Sequence, residues 1–256
     1  MENISWITIP LLITFLIGII CPVTGAILIT QKRSTQANLI SYAVLPGLVI
    51  SAKLQIDPII GGFLSSLLGS FLAERFNQKF INKQSAAINS VLAGFTALGV
   101  LLVPIFGAQI DLEAVLFGDL LSSNIADILR LLITMFLLLG FILFNYEDLI
   151  FLGVDNEGAV LAKRPVKKIY ILSSTITTLV IISAANAVGI ILVIGLLCSP
   201  VLINIDKAKS LFSLMKKAAL TGFISSLFGL SISLVFDLPP GPAIGLICFL
   251  ILFLKR

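Results

Sequence analysis

Apolar residues come in blocks along this chain: long runs of Leu, Ile, Val, Phe and Ala, separated by short stretches that hold most of the charge. A helix needs about 20 apolar residues to cross a hydrocarbon core about 30 Å thick, and the runs approach that length repeatedly. They predict spans over 6–30, 37–54, 58–72, 85–106, 128–144, 169–185, 188–205, 218–236 and 241–254. Lipid offers the backbone no hydrogen-bond partners, so each run is expected to be a helix. The expected fold is all-α, a polytopic membrane helix bundle of about nine transmembrane helices, with eight and ten as the alternatives. The third and ninth runs are short for a full crossing, and the whole of 1–256 reads as a single domain.

Charge placement adds an orientation. Lys and Arg near helix ends are retained on the cytoplasmic side. Of the 17 basic residues, only Lys53 and Arg130 fall outside one alternating set of loops, the set that holds Lys32, Arg33, Arg75, Lys79, Lys163, Arg164, Lys216, Lys255 and Arg256. Asp57, Asp111, Glu113, Asp119, Asp127 and Asp237 fall in the other set. The amino terminus is therefore expected outside and the carboxyl terminus in the cytoplasm. The start of the chain, Met1 to Trp6, lacks the basic region of a signal peptide, so the first run is expected to remain as a spanning helix.

Composition agrees with this picture. The 256 residues are 58% hydrophobic and 12% charged, with a mean hydropathy of +1.13, against roughly 45–50% apolar and about 25% charged in soluble domains. The net charge of +4 does not point to nucleic acid, because the basic residues sit at helix ends and form no aromatic-interleaved stripe. Cys21, Cys198 and Cys248 lie within apolar runs without a CxxC pair and read as inert packing residues.

Two connecting stretches are long enough to carry structure. In 107–127, Leu112, Val115, Leu116 and Leu120 predict a short amphipathic helix on the membrane surface. In 145–168, acidic residues alternate with Leu149, Ile150, Phe151 and Leu161, which predicts a short helix that docks on a protein or lies on lipid headgroups. The turn between the sixth and seventh runs is expected to contain Asn186, and Asp237 to Pro242 reads as a rigid, proline-terminated turn.

Enzymatic signals are missing: the chain has no histidine, no nucleophile elbow, no zinc-protease helix and no phosphate-binding loop, so it is not expected to hydrolyse ATP itself. Its chemistry lies in the second run, where Asn38, Ser41 and Tyr42 fall on one helical face, followed by Pro46 and Gly47. Polar groups inside a membrane are costly and mark solute paths or hydrogen bonds between helices, and both readings stand here. Pro46 withdraws the amide that would bond the Tyr42 carbonyl and is expected to kink the helix. Gly61, Gly62, Gly222 and Gly229 read as sites where helices approach closely.

At this point the residues resemble a known family, the membrane permeases of bacterial ABC importers for manganese, zinc and iron. From Gly25 through Lys32 and Arg33 to Asn38, Ser41, Tyr42, Leu45, Pro46 and Gly47, the chain looks like that family's signature, a basic pair followed by G-D-x-x-S-H-x-x-L-P-G. Three further elements follow in order: Val115 to Asp119 is similar to an L-F-G element, Val188 to Pro200 to a V-G-x-x-L-V-x-x-L-L-x-x-P stretch, and Leu238 to Ile244 to an L-P-S-G-P-A-I turn. The resemblance implies a permease without cofactor of its own, which moves a divalent metal and is driven by ATP bound to a separate cytosolic ABC ATPase subunit. It implies three further partners: an extracytoplasmic metal-binding protein, a second copy of the permease and membrane lipid, with no nucleic acid. Asn38, Ser41, Tyr42, Pro46 and Gly47 would line the translocation path, and Gly158 and Ala159 would lie in the loop that couples to the ATPase.

One departure stands out. The family's Asp and His ligand positions are occupied by Asn38 and Tyr42, so no metal ligand is secure. Neutral oxygen donors suit a hard cation such as manganese better than zinc, which favours nitrogen and sulfur. The alternatives are a permease for an iron chelate or another solute, a secondary carrier outside the ABC class, and a membrane scaffold without transport.

Overall fold

The computed structural model describes residues 2–80, 83–107, 112–118, 120–154, 156–162 and 164–254. Asp111, Asp119, Lys163, Lys255 and Arg256, used above as charge markers, lie outside them. The described residues fold into helices without strands: α1 (Glu2–Thr30), α2 (Ser34–Leu54), α3 (Pro58–Lys79), α4 (Gln84–Phe106), α5 (Leu112–Phe117), α6 (Ile125–Val154), α7 (Asn156–Leu161), α8 (Val166–Val188), α9 (Ile190–Asn204), α10 (Leu211–Phe236) and α11 (Pro240–Leu250). Among the described residues, eight helices are long and apolar enough to cross a membrane, and a shorter apolar stretch, Pro240–Phe253, follows them. The chain is thus an all-helical, multi-pass membrane bundle.

Local chemistry sets the ends. Asp57 caps α3 by accepting a hydrogen bond from the Ile59 amide at 2.9 Å, with Pro58 in the first turn, where its missing amide costs nothing. Ser210 caps α10 through the Ser213 amide at 3.1 Å. Several helices run past their apolar stretches: α3 continues to Lys79 and α10 begins at Leu211, because the backbone ladder persists where long basic side chains reach water. α6 carries a non-helical residue, Asn145 (φ −124°, ψ 18°), at the boundary where the apolar run ends. Its side chain donates to the Phe141 carbonyl at 3.0 Å.

Two expectations need correction. Asn186 is not in a turn: it belongs to the last turn of α8, and the reversal into α9 is made by Gly189. Leu120 does not rest on lipid. It is 1% exposed within the main core, in a 3₁₀ turn (Leu120–Ser122) after α5, so this connection docks into the bundle. Pro46, by contrast, lies inside α2, which continues from Ser34 to Leu54.

The bundle has two parts. α1, α6 and α8 to α11 pack around the main core, in which Ile13, Ile17, Leu131, Ile181, Leu192 and Leu196 are nearly inaccessible. α2, α3 and α4 pack chiefly on one another around a small core of Leu39, Ala73 and Ile88. α2 alone of the three also enters the main core, through Ala37, Ile40 and Leu45.

Candidate functional site

Small residues let α3 press against α2. A Cβ built on Gly47 would stand 2.0 Å from the Gly61 carbonyl oxygen, and one on Gly61 would stand 2.3 Å from that of Gly47. At this separation Ser65 donates to the Ala43 carbonyl at 2.6 Å and Ser66 to the Ile40 carbonyl at 3.0 Å. Gly47 is therefore spent on packing. Pro46 is buried one residue earlier, against α4 at Gly99. Ser41 is fully buried, and its hydroxyl donates to the Ala37 carbonyl within α2 at 2.9 Å.

Asn38 and Tyr42 differ from these three. Both are part-buried, four residues apart on one face of α2. Tyr42 lies against the main core. The Asn38 side-chain oxygen is buried and meets no hydrogen-bond donor among the described residues. A carboxamide oxygen without a partner costs free energy unless water or a solute supplies the missing contact. Of the residues singled out in sequence, Asn38 thus keeps free chemistry beside Tyr42, whereas Ser41, Pro46 and Gly47 are engaged in holding the helix.

Polar clusters at the two ends of the bundle were harder to read in sequence, because their members are far apart in the chain. At the basic end, Arg33 is 12% exposed, pairs with Glu74 of α3 at 3.0 Å and lies over the Tyr170 ring of α8 at 4.1 Å. Burial pulls the Arg33 pKa below the usual guanidinium range, opposed by the Glu74 carboxylate. Nearby in the chain, both polar atoms of the Gln31 side chain are buried without partners among the described residues. At the acidic end, Asp127 is 6% exposed and accepts from the Asn124 amide (3.0 Å), Arg130 (3.2 Å) and Asn186 (3.1 Å). Arg130 reaches on to Asp57 at 3.1 Å.

Beyond the bend at Asn145, α6 and α7 form an elbow at the basic end. Arg164 closes it through Asp148 at 2.9 Å and Glu147 at 3.7 Å, and Tyr146 accepts from the Phe212 amide at 3.1 Å. Ala159 is fully buried in the main core and Gly158 is part-buried, so this face of α7 is turned inward. Val154 and Leu161, each 83% exposed, are left outward. Among the described residues no cluster of three or more Cys, Asp or Glu side chains comes together.

Three of the motif elements meet at one place. Gly118 (φ 72°) and Gly189 (φ 84°) face each other backbone to backbone: a Cβ on Gly118 would lie 2.2 Å from the Val188 carbonyl carbon, and one on Gly241 would lie 2.1 Å from the Phe117 carbonyl oxygen. The loop after α5, the α8–α9 turn and the start of α11 thus converge where only glycine fits.

Known proteins are similar to this chain along most of its length. The chain is 31% identical over 240 residues to the manganese import system permease protein ScaB of Streptococcus parasanguinis, covering 93% of this chain and 86% of that one. It is 29% identical over 238 residues to the manganese transport system membrane protein MntC of Listeria monocytogenes, covering 93% and 85%. In structure it resembles PsaBC from Streptococcus pneumoniae, solved in complex with Fab, with a TM-score of 0.87 at 27% identity over 98% of this chain and 90% of that one. The sequence profile of the ABC 3 transport family matches residues 3–255, and the chain belongs to that family.

Proposed function

We propose that this chain is the permease subunit of an ABC importer for a divalent metal ion, manganese ahead of zinc, in the inner membrane of a bacterium. The observation that carries the reading is the full-length likeness to permeases named for manganese transport, joined to an overall fold of the same kind. A separate cytosolic ATPase supplies the energy, and an extracytoplasmic binding protein delivers the ion. A second copy of the permease completes the path, with lipid around both.

The orientation follows from charge: the loops rich in Lys and Arg face the cytoplasm, which puts the amino terminus outside. If Pro240–Phe253 completes a ninth crossing, the carboxyl terminus is cytoplasmic. The elbow of α6 and α7 then lies on the ATPase side, where the outward Val154 and Leu161 give a partner apolar surface. Gly158 and Ala159 anchor that elbow to the bundle.

Asn38 and Tyr42 line the path, with the unpartnered Asn38 oxygen turned to the passing ion. Two neutral oxygens hold a hard cation loosely, which suits passage rather than storage. The same neutrality favours a second reading, a solute other than a free metal ion.

Multi-element uptake tests the proposal. The permease is expressed with its ATPase and binding protein in a transporter-deficient bacterium, and cell-associated manganese, zinc and iron are measured together, with an ATPase-dead control. ATP-dependent manganese accumulation is expected. An assembled complex that accumulates none of the three rejects the metal reading.

A further inference from the structure

α3 is loosely held on the side facing the main bundle. It contributes no residue to the main core among those described, and near its start Ile59, Ile60, Phe63 and Leu64 do not close against α8. They line an apolar groove of about 250 Å³ with Leu179, Ile182 and Ser183. One ion pair fastens the rim of this groove. Asp57 caps α3 just before the lining residues, and Arg130 of α6 reaches it at 3.1 Å. One turn along α6 from Arg130, Thr134 shares a hydrogen bond with Ser183 at 3.0 Å, so ion pair and groove adjoin.

The two halves of the pair are built differently. Arg130 is pinned on its own side by buried Asp127, which Asn124 and Asn186 hold in turn. Asp57 has a side chain 40% exposed and, among the described residues, only its own helix cap behind it. At the other end of α3, Glu74 meets Arg33, itself 12% exposed beneath Tyr170 of α8. One end of α3 is thus tied to the bundle by a part-buried contact and the other by an exposed one.

We propose that Asp57–Arg130 is a latch that ties the tip of α3 to α6 across the rim of this groove, and that its release widens the groove at the acidic end while the Arg33–Glu74–Tyr170 contact acts as the fixed point. The fixed partner is the α6–α8 side, where Asp127 keeps Arg130 in place, and the moving partner is the tip of α3. This inference concerns the chain's own conformations and does not depend on which solute it carries.

Asp57→Asn is the informative variant, because Asn retains the oxygen that caps α3 and removes only the charge that binds Arg130. The reporter is Ser183→Cys, 8% exposed in the groove wall, in a Cys198→Ser background in which Cys21 and Cys248 remain buried. Full-length protein in membranes is treated with N-ethylmaleimide and the rate of labelling at position 183 is measured. An exposed ion pair is worth enough to change a two-state equilibrium by about two- to fivefold, so Asp57→Asn is expected to raise the rate by that factor. Arg130→Gln also takes the cation from Asp127, so it is expected to raise the rate by at least that factor, and adding Asp57→Asn to it is expected to change nothing further, because the Asp57–Arg130 contact is already broken. An unchanged rate in Asp57→Asn, or increases that multiply in the double variant, would overturn the latch. Asp57→Glu, which keeps the charge, is expected to label at the parent rate, and a rise there would also count against it.

Discussion

Gly47→Ala is the sharpest test of whether α2 and α3 move as one piece. The new methyl would lie 2.0 Å from the Gly61 carbonyl oxygen, 2.4 Å from its carbon and 2.7 Å from the Ser65 Cβ. Backbone cannot rotate out of the way as a flexible side chain can, so the helices must separate. Overpacking of this kind costs about 1–3 kcal/mol. Separation also stretches the Ser65 and Ser66 hydrogen bonds, worth about 0.6 kcal/mol each inside a membrane. The better helix propensity of alanine returns about 1 kcal/mol, which leaves a net loss of about 1–3 kcal/mol. Gly94→Ala on α4 is the internal control, since a Cβ there meets nothing within 4 Å. Unfolding of the purified proteins by SDS in mixed micelles, followed by far-ultraviolet circular dichroism, measures both. Gly47→Ala is expected to unfold at a clearly lower SDS fraction than the parent, and Gly94→Ala at the same fraction or higher. If Gly47→Ala unfolds with the parent, the close contact is not a constraint and the packing role assigned to Gly47 is wrong.

Asn38→Ala with Tyr42→Phe is expected to reduce metal uptake at least tenfold at parental expression and stability, measured by cell-associated metal. Uptake at the parental rate would remove both residues from the path. Arg33→Ala removes the cation paired with Glu74, leaving it the Gln36 amide at 3.5 Å, and empties the space beneath Tyr170. It is expected to cost about 1–3 kcal/mol in the same SDS titration, less than a fully enclosed pair because Glu74 is 36% exposed. Arg164→Ala opens the elbow of α6 and α7 and is expected to leave stability within about 0.5 kcal/mol. It should also lower uptake and the ATPase activity of the assembled complex, and a variant with full activity would free the elbow from any role in coupling.

Much of the bundle is legible in sequence because lipid makes the demand simple: each apolar run must satisfy its own backbone. Starts and stops with local causes are readable, as at Pro58, Phe106 and Phe236, and the end of the fifth run coincides with the bend at Asn145. Ends set by the backbone ladder alone, as at Lys79 and Leu211, are not, because hydropathy falls before the helix does. The candidate face of α2 was visible as spacing, but spacing cannot say which side chains are already satisfied. Ser41 looks like Asn38 in sequence and differs only in that its own helix supplies an acceptor. The partnership of Asn186 with Asp127 crosses 59 residues, and no local pattern announces it. Glu74 was overlooked for the same reason, as one acid among the bases at the end of α3. The four motif elements were legible as text, whereas the reason three of them carry glycine appears only where Gly118, Gly189 and Gly241 meet.

The length of α6 has a mechanical consequence. Thirty residues at 1.5 Å each amount to about 45 Å of helix measured along its bent path, which exceeds a hydrocarbon core of about 30 Å by roughly three turns. The surplus is the segment after Asn145, stiffened by Arg164 and by the contact of Tyr146 with the start of α10. A push on that overhang acts through a lever whose pivot is a single residue, and the strut beyond the pivot is the helix that carries Arg130. The two segments of α6 join at that one residue rather than through a loop, so the overhang and the helix that carries Arg130 can change their angle but not their separation.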